Sequence, residues 1–433
     1  MHYSLRQLNK DGLNLDVQNR AADFLEQRLD QLEDLLRNEQ RELGELSRRI
    51  DAKASKYQRS QRRPLVQKIA WQHPIPVLVF VCNRLEAARA HLQKLIRYRR
   101  YQKELFPIIV SQDCDNKALQ EMVQREFGSE VQHVKHISSE SARLKPPPEH
   151  RQFSTYYKIA RHYKLGLTHV FDNVNFTSVI ITEDDLDVAP DFFDFFLATR
   201  PLLEVDRSLF CVSAWNDNGK KGLVDLSFGP SLLYRSDFFP GLGWMITRHF
   251  WEELRPKWPR AFWDDFLREP EQRKNRSCIR PEISRTAMTE FGRIGASKGL
   301  FFNRHLKRIF LNQITVNFTR LDLGSLQQQR YDDKFLGRVY SAPKIGIKNI
   351  LAWSKSGGGD HRIEYASMDD FVTVALKVGI MADSKAGVPR TAYRGIVTCF
   401  LNGTRLFIAP PKKWNGYDRK WEAPRSILDG MDT

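Results

Sequence analysis

Between residues 17 and 60 the chain carries many charges and no proline, and its apolar positions are spaced for a helix. Leu25, Leu29, Leu32, Leu36, Leu43, Leu46 and Ile50 alternate by three and four with one gap at Glu39, the seam of a coiled coil, which predicts a helical stem and self-association through it. Glu39 and Gly44 interrupt a seam of about four heptads, and the competing reading is a solvated single helix. A basic linker, KYQRSQRRP, leads to Pro74 and Pro76, and there the pattern changes. Short apolar, β-branched runs now alternate with amphipathic helical patterns: PVLVFVC, helix 85–102, FPIIVSQ, helix 116–127, VQHVKHI, helix 153–171, SVIITEDD, helix 190–204 and LFCVSAW. This alternation predicts an α/β fold with a doubly wound, mostly parallel sheet. From about residue 325 shorter strands (GRVYSAP, RIEYASM, GIVTCFL, TRLFIAP) lie between Gly and Pro turns. The expected division is a stem and linker at 1–73, the α/β domain at 74–324, and a smaller strand-rich C-terminal domain at 325–433.

Composition narrows the function only a little. With 433 residues and 41% hydrophobic content the chain can bury a large core, and disorder is excluded for most of it. No apolar stretch approaches the roughly 20 residues a bilayer-spanning helix needs, and the first residues lack a signal-peptide apolar core. The formal charge of +16 would suit an anionic partner. The basic residues are spread rather than blocked, however, and no zinc-finger or RNA-binding signature accompanies them, so no nucleic-acid partner is expected. The glycines of SKSGGGD (354–360) lack the Lys-Ser/Thr and helix of a phosphate loop and read as a turn.

In a doubly wound sheet ligands bind beyond the carboxyl ends of the strands. SVIIT runs directly into Glu183, Asp184 and Asp185, with Asp187 close behind. Three adjacent carboxylates at a buried strand end repel one another, so a cation is expected there, and hard oxygens suit Mg²⁺ or Mn²⁺ completed by diphosphate and water. The rival reading is a capping turn in which Asp187 or Asp191 serves the helix that follows, and the pattern does not choose between the two. Arg84 and Asp113 follow the first two strands, at the same edge, where they could meet the phosphates and base of a nucleotide; salt bridges are the duller reading. In helix 153–171, Tyr156, Ala160, Tyr163 and Leu167 are expected to form the core stripe, leaving Lys158 and His162 on a flank that could face a ligand. In KWPRAFWDDF, Trp258, Phe262 and Trp263 surround Asp264 and Asp265; aromatic rings stack on sugars and a carboxylate among them could take a proton, or the two acids simply open a helix.

The runs SQDC (111–114), YYKIARHY (156–163), EDDLDVAPDFF (183–193), SAWNDNG (213–219), LLYRSDFFPGLGW (232–244), KWPRAFWDD (257–265), PEQRKNRSCIRPEISRT (270–286) and FFNRHLK (301–307) together resemble the N-acetylglucosaminyltransferase I family, across about residues 75–330. The resemblance implies a GT-A glycosyltransferase fold and Mn²⁺-dependent, inverting transfer of N-acetylglucosamine from UDP-GlcNAc. The acceptor it implies is the 2-hydroxyl of the α-1,3-linked mannose in the five-mannose core of a high-mannose N-glycan on glycoproteins. It implies the Golgi lumen, with the chain as the soluble or truncated part of a type II membrane protein. Carried over by position, Arg84, Asp113 and His162 contact UDP, Glu183 and Asp184 contact the donor, Asp185 is the protein's ligand to Mn²⁺, Asp264 is the catalytic base, and Ser297 belongs to a loop over the donor. The loop TAMTEFGRIGASKG departs from the family near Ala287 and Glu290, where it is longer. The resemblance also pairs Cys82 with Cys114 and Cys211 with Cys278, leaving Cys399 free; reduced thiols are the alternative that spacing allows. Sequons at Asn175, Asn275, Asn317 and Asn402 permit glycosylation. The competing functions are GlcNAc transfer to O-linked mannose, by the related enzyme that shares SAWND and PGLGW, and a catalytically silent sugar-binding protein.

Overall fold

The computed structural model describes residues 73–295, 299–347 and 359–421. The stem seam and Ser297 lie outside the described residues. The first half contains β1 (Val77–Val81), α1 (Leu85–Arg99), β2 (Ile108–Gln112), α2 (Lys117–Phe127), β3 (Val131–Lys135), α3 (Ser154–Thr168), β4 (Ser178–Glu183), β5 (Leu186–Val188) and α4 (Phe192–Val205). Then come β6 (Leu209–Ser213), β7 (Leu233–Ser236), β8 (Trp244–Thr247), α5 (Arg248–Leu254), α6 (Trp263–Arg268), β9 (Ser277–Pro281), β10 (Thr286–Met288) and α7 (Gln328–Ser341). The tail adds β11 (Asp360–Glu364), α8 (Met368–Val378), the short hairpin β12 (Ser384–Lys385) and β13 (Val388–Pro389), β14 (Val397–Leu401) and β15 (Thr404–Ala409).

β1 is buried along its whole length, and its alternate residues enter two cores: Val77, Val79 and Val81 one, Leu78 and Phe80 the other. A strand apolar on both faces must be covered on both, so the helices divide. α1, α2 and α4 supply Leu92, Leu95, Met122, Phe192 and Phe195 to the first core, while α3, α5 and α6 supply Ala160, Tyr163, Trp251 and Trp263 to the second. The main sheet runs β3-β2-β1-β4-β8-β6-β9-β7. β3, β2, β1 and β4 are parallel, as are β6 and β9, whereas β8 lies antiparallel between β4 and β6 and β7 lies antiparallel against β9. The doubly wound, mostly parallel sheet is therefore present, with two reversed strands that the alternation of runs does not predict. Both are four residues long and flank the tight PGLG turn. That turn needs glycine: Gly243 has φ +89°, and a Cβ on it would lie 2.5 Å from the Thr286 side chain.

In the tail, GRVYSAP is not a strand but the end of α7, whose Tyr331, Phe335 and Val339 are buried at a spacing of four. Local β-propensity gave way to a helical stripe that continues from further upstream. β15 pairs parallel with β11 and antiparallel with β14, and its residues alternate between cores. Leu406 and Ile408 meet Phe371, Val374 and Val397 in a separate C-terminal core, while Phe407 and Ala409 join Phe335 and Tyr331 in the main one. The strand-rich tail is thus sewn onto the α/β sheet through shared packing.

Disulfides join Cys82 to Cys114, at the ends of neighbouring β1 and β2, and Cys211 to Cys278, which stand opposite each other on β6 and β9. Cys399 is free and buried on β14. The four sequon asparagines are all exposed. Among the described residues no helix is long and apolar enough to cross a membrane.

Candidate active site

β4 delivers Glu183, Asp184 and Asp185 to the carboxyl edge of the sheet, where the chain turns into β5. β5 is held by antiparallel pairing with β10, and the backbone N–H and hydroxyl of Thr289 both donate to the Asp185 carbonyl at 2.8 Å. The turn is therefore fixed from both sides. Asp184 and Asp185 are 4% and 6% exposed, which makes unbalanced charge there costly. The cation anticipated for this spot is in part supplied by the protein. Arg84, at the end of neighbouring β1, forks its guanidinium between Asp185 (2.7 Å) and Asp184. Burial works against the Arg84 charge, but Asp185 and then Asp184 hold the guanidinium protonated above its ordinary value.

One arginine does not balance three carboxylates. Glu183 is pushed up to about 7, by burial first and the charge of Asp185 second, with the Tyr163 hydroxyl and Arg84 working the other way. Burial likewise pushes Asp184 up to about 7 against the pull of Arg84. Among the described residues no three His, Cys, Asp or Glu side chains converge as a metal cage. A hard divalent ion completed by diphosphate oxygens needs only one or two protein carboxylates, so the donor set at Asp185 suits such an ion and does not suit zinc.

Asp113 and His162 occupy the next strand end along. Asp113, just past β2, is buried and accepts from Arg161 at 2.5 Å and from the Ser139 hydroxyl at 3.0 Å. Burial raises its pKa and Arg161 opposes that rise. His162 does not stand on an open flank of α3. It is 9% exposed, with Nε2 facing the Ser111 hydroxyl at 3.0 Å and the Ser111 carbonyl at 3.1 Å, and its ring is edge-on to Phe80. The α3 stripe is also shifted from expectation: Tyr157 is buried and Tyr156 is half-exposed. The reason is that α3 also packs against the loop before α6, where Trp258 donates to the Ala160 carbonyl at 2.9 Å.

Asp264 and Asp265 lie in the first turn of α6, about two-fifths exposed, and Arg268 donates to both at 2.8 and 2.9 Å. Trp258 and Trp263 are buried rather than offered to a sugar; of the three aromatics expected around Asp264, only Phe262 is half-exposed. Trp263 instead ties the two acidic regions together. Its ring stacks on Tyr163 with centroids 4.1 Å apart, and the Tyr163 hydroxyl donates to Glu183 at 2.7 Å. Trp263 is backed in turn by Trp244 and Trp258 in nearly parallel planes. Arg84, Asp184 and Asp185 therefore meet directly, Glu183 adjoins them in the chain and is joined to the Asp264 segment through Tyr163 and Trp263, and Asp113 with His162 stands one strand away.

The chain matches the GNT-I family over residues 2–421. It belongs to the GNT-I family. An alpha-1,3-mannosyl-glycoprotein 2-beta-N-acetylglucosaminyltransferase of Arabidopsis thaliana is 39% identical over 336 residues, which cover 77% of this chain and 73% of the relative. Among solved structures, a mannosyltransferase of Pyrobaculum calidifontis in complex with GDP-Man and Mn²⁺ is 14% identical with a TM-score of 0.33, covering 53% of this chain and 60% of that one. A GalNAc-T7 structure with UDP, GalNAc and Mn²⁺ is 11% identical with a TM-score of 0.35, covering 50% and 44%. Likenesses at that level decide nothing about the site.

Several residues of this GNT-I member's site escape a sequence reading. Tyr163 belongs to the core stripe, but a tyrosine where phenylalanine would pack as well signals a hydroxyl with a partner. Arg268 carries no signal beyond the acids three and four residues before it, and Arg161 has only lysines at three residues on either side. His136 adds a second ring to the Ser111 hydroxyl, at 2.9 Å. Burial, then neighbouring charge, lowers His162 to about 3 and His136 to about 4, from an ordinary 6.5. Both are neutral when folded and take up a proton only on unfolding, so the stability they contribute is complete above pH 6.5 and is lost as pH falls towards 4. Urea midpoints measured from pH 7 to pH 5 should therefore fall more for the wild type than for His136→Gln; equal slopes would contradict the assignment of neutral, buried rings.

Proposed function

We propose that this GNT-I family chain is an inverting β-1,2-N-acetylglucosaminyltransferase. It moves GlcNAc from UDP-GlcNAc to the 2-hydroxyl of the α-1,3-linked mannose of the five-mannose N-glycan core, in the Golgi lumen, as the first step toward hybrid and complex N-glycans. The observation that carries this reading is the Glu183–Asp185 turn at the carboxyl edge of β4, coupled through Tyr163 and Trp263 to Asp264, in a chain 39% identical to the Arabidopsis enzyme. In it, Asp185 holds the divalent ion, Mn²⁺, which when bound neutralises charge on the departing diphosphate. Arg84, released from Asp185, turns to the phosphates, and Asp113 and His162 line the base end. Glu183 and Asp184 orient the donor sugar. Asp264 draws the proton from the attacking mannose hydroxyl, and since no enzyme nucleophile is required the displacement occurs once, with inversion. Ser297 contributes to donor binding, and residues 1–73 act as a self-associating stem.

The test is incubation of the full chain with UDP-GlcNAc, Mn²⁺ and five-mannose glycan, followed by mass spectrometry. One added N-acetylhexosamine is expected, and chelation of the metal should reduce transfer to background and UDP affinity with it. Mannose-glycan binding with no turnover under any metal condition would leave a silent sugar-binding protein instead; transfer to O-mannosyl peptide in preference to the glycan would move the acceptor assignment.

A further inference from the structure

Phe262 is the residue immediately before Trp263 and Asp264, and it sits in the left-handed region, with φ +52° and ψ +48°. A bulky aromatic gains nothing there that glycine would not have without strain, and such strain survives where the site uses the side chain. The ring is half-exposed. It stacks on Tyr156 with centroids 4.8 Å apart and planes at 29°, and Phe153 meets it edge-on at 5.5 Å. Tyr156 and Phe153, at the start of α3, are half-exposed as well. Phe262 caps the helix whose first turn carries Asp264 and Asp265, which sets the cluster beside those carboxylates, and burial and then their charges raise the Tyr156 pKa. The result is a partly exposed aromatic cluster next to Asp264, while the other aromatics of the segment, Trp258 and Trp263, are buried in the core.

We infer that Phe262, Tyr156 and Phe153 form the acceptor platform, on which the C–H face of a mannose ring of the acceptor glycan stacks so that its hydroxyl edge meets Asp264. The inference rests on the proposed transfer reaction and extends it from the donor side, where Arg84 and Asp185 lie, to the acceptor side. Stacking suits this occupant because a pyranose offers one apolar face to a ring and a polar edge to carboxylates, whereas a nucleotide's charge would be repelled by Asp264 and Asp265. The left-handed backbone at Phe262 is what turns the ring outward to Tyr156 while Trp263, one residue on, turns inward.

Phe262→Gly separates the platform from a structural role, because it removes the ring and the backbone strain together. With the full chain, Phe262→Gly and Tyr156→Leu are expected to raise the KM for five-mannose glycan about tenfold, the loss of one well-placed aromatic face. UDP affinity by calorimetry should stay at the wild-type value, kcat should change less than KM, and Phe262→Tyr should restore the acceptor KM. An unchanged acceptor KM in Phe262→Gly, or a parallel loss of UDP affinity, overturns the platform. If the wild type transfers nothing, the reaction itself is refuted, and titration of five-mannose glycan alone into wild type and Phe262→Gly decides the platform separately: weaker binding by the variant supports it, and equal or absent binding refutes it.

Discussion

Asp264→Asn is expected to lower GlcNAc transfer by about 10³-fold while leaving the affinity for UDP unchanged, because a positioned general base contributes roughly 10²–10⁴ to a rate and asparagine cannot accept the proton. The substitution is close to isosteric, and an amide oxygen can still receive the Arg268 guanidinium that now bonds Asp264 at 2.8 Å. The first turn of α6 should therefore keep its shape, and Trp263 should keep its stack on Tyr163. The loss should appear in kcat rather than in the donor KM, since Asp264 is linked to the acidic turn through that ring pair and has no hydrogen bond or ion pair to Arg84 or Asp185 among the described residues. Asp265→Asn is the internal control: it shares Arg268 and the same exposure but should fall far less. Single-turnover transfer with both variants, alongside UDP calorimetry, measures all of this. Equal effects at the two positions would remove Asp264 from its role.

The largest stability effect is expected at Arg285, which with Asp191 forms an ion pair with both side chains 0% exposed. Arg285 also donates to the Ile283 carbonyl at 2.6 Å, and Asp191 accepts from Asn312 at 3.0 Å. Arg285→Leu leaves a buried, uncompensated carboxylate, and the expected cost is about 3–5 kcal/mol. Replacing both, as Asp191→Leu with Arg285→Leu, should recover part of that loss because no isolated charge remains buried. Urea denaturation of the two variants gives the comparison, and a double variant weaker than the single would show that the pair itself, rather than the orphaned charge, sets the cost. The site should suffer too. Arg285 immediately precedes β10, the strand that clasps β5 and brings Thr289 to Asp185, so loosening it frees the acidic turn.

Most of the α/β half was legible in the chain because its signals are local: β-branched runs buried on both faces, separated by helices with apolar stripes, leave few alternatives. The strand ends followed from the same logic, and Arg84, Asp113 and the acidic triplet stand there. What the sequence could not give was set by contacts between distant segments. β7 and β8 are strands because β9, β4 and β6 offer them edges, and four residues carry little pattern of their own. Tyr156 and Tyr157 exchange places because the 258–262 segment covers one side of α3. Trp258 and Trp263 look like sugar-facing rings beside two acids, yet they build the floor that carries Glu183 and Asp264 together. The pairing of Arg84 with Asp184 and Asp185 was hidden for a further reason: a charge placed for a ligand and a charge placed for a neighbour look alike until the neighbour is seen.

That pairing has a bearing on selectivity. On the proposed reading, in which Asp185 takes the metal, the folded-back Arg84 guanidinium occupies the oxygen that a lone cation would need. Metal and nucleotide would then bind better together than the metal alone, because the diphosphate offers Arg84 a second anionic partner.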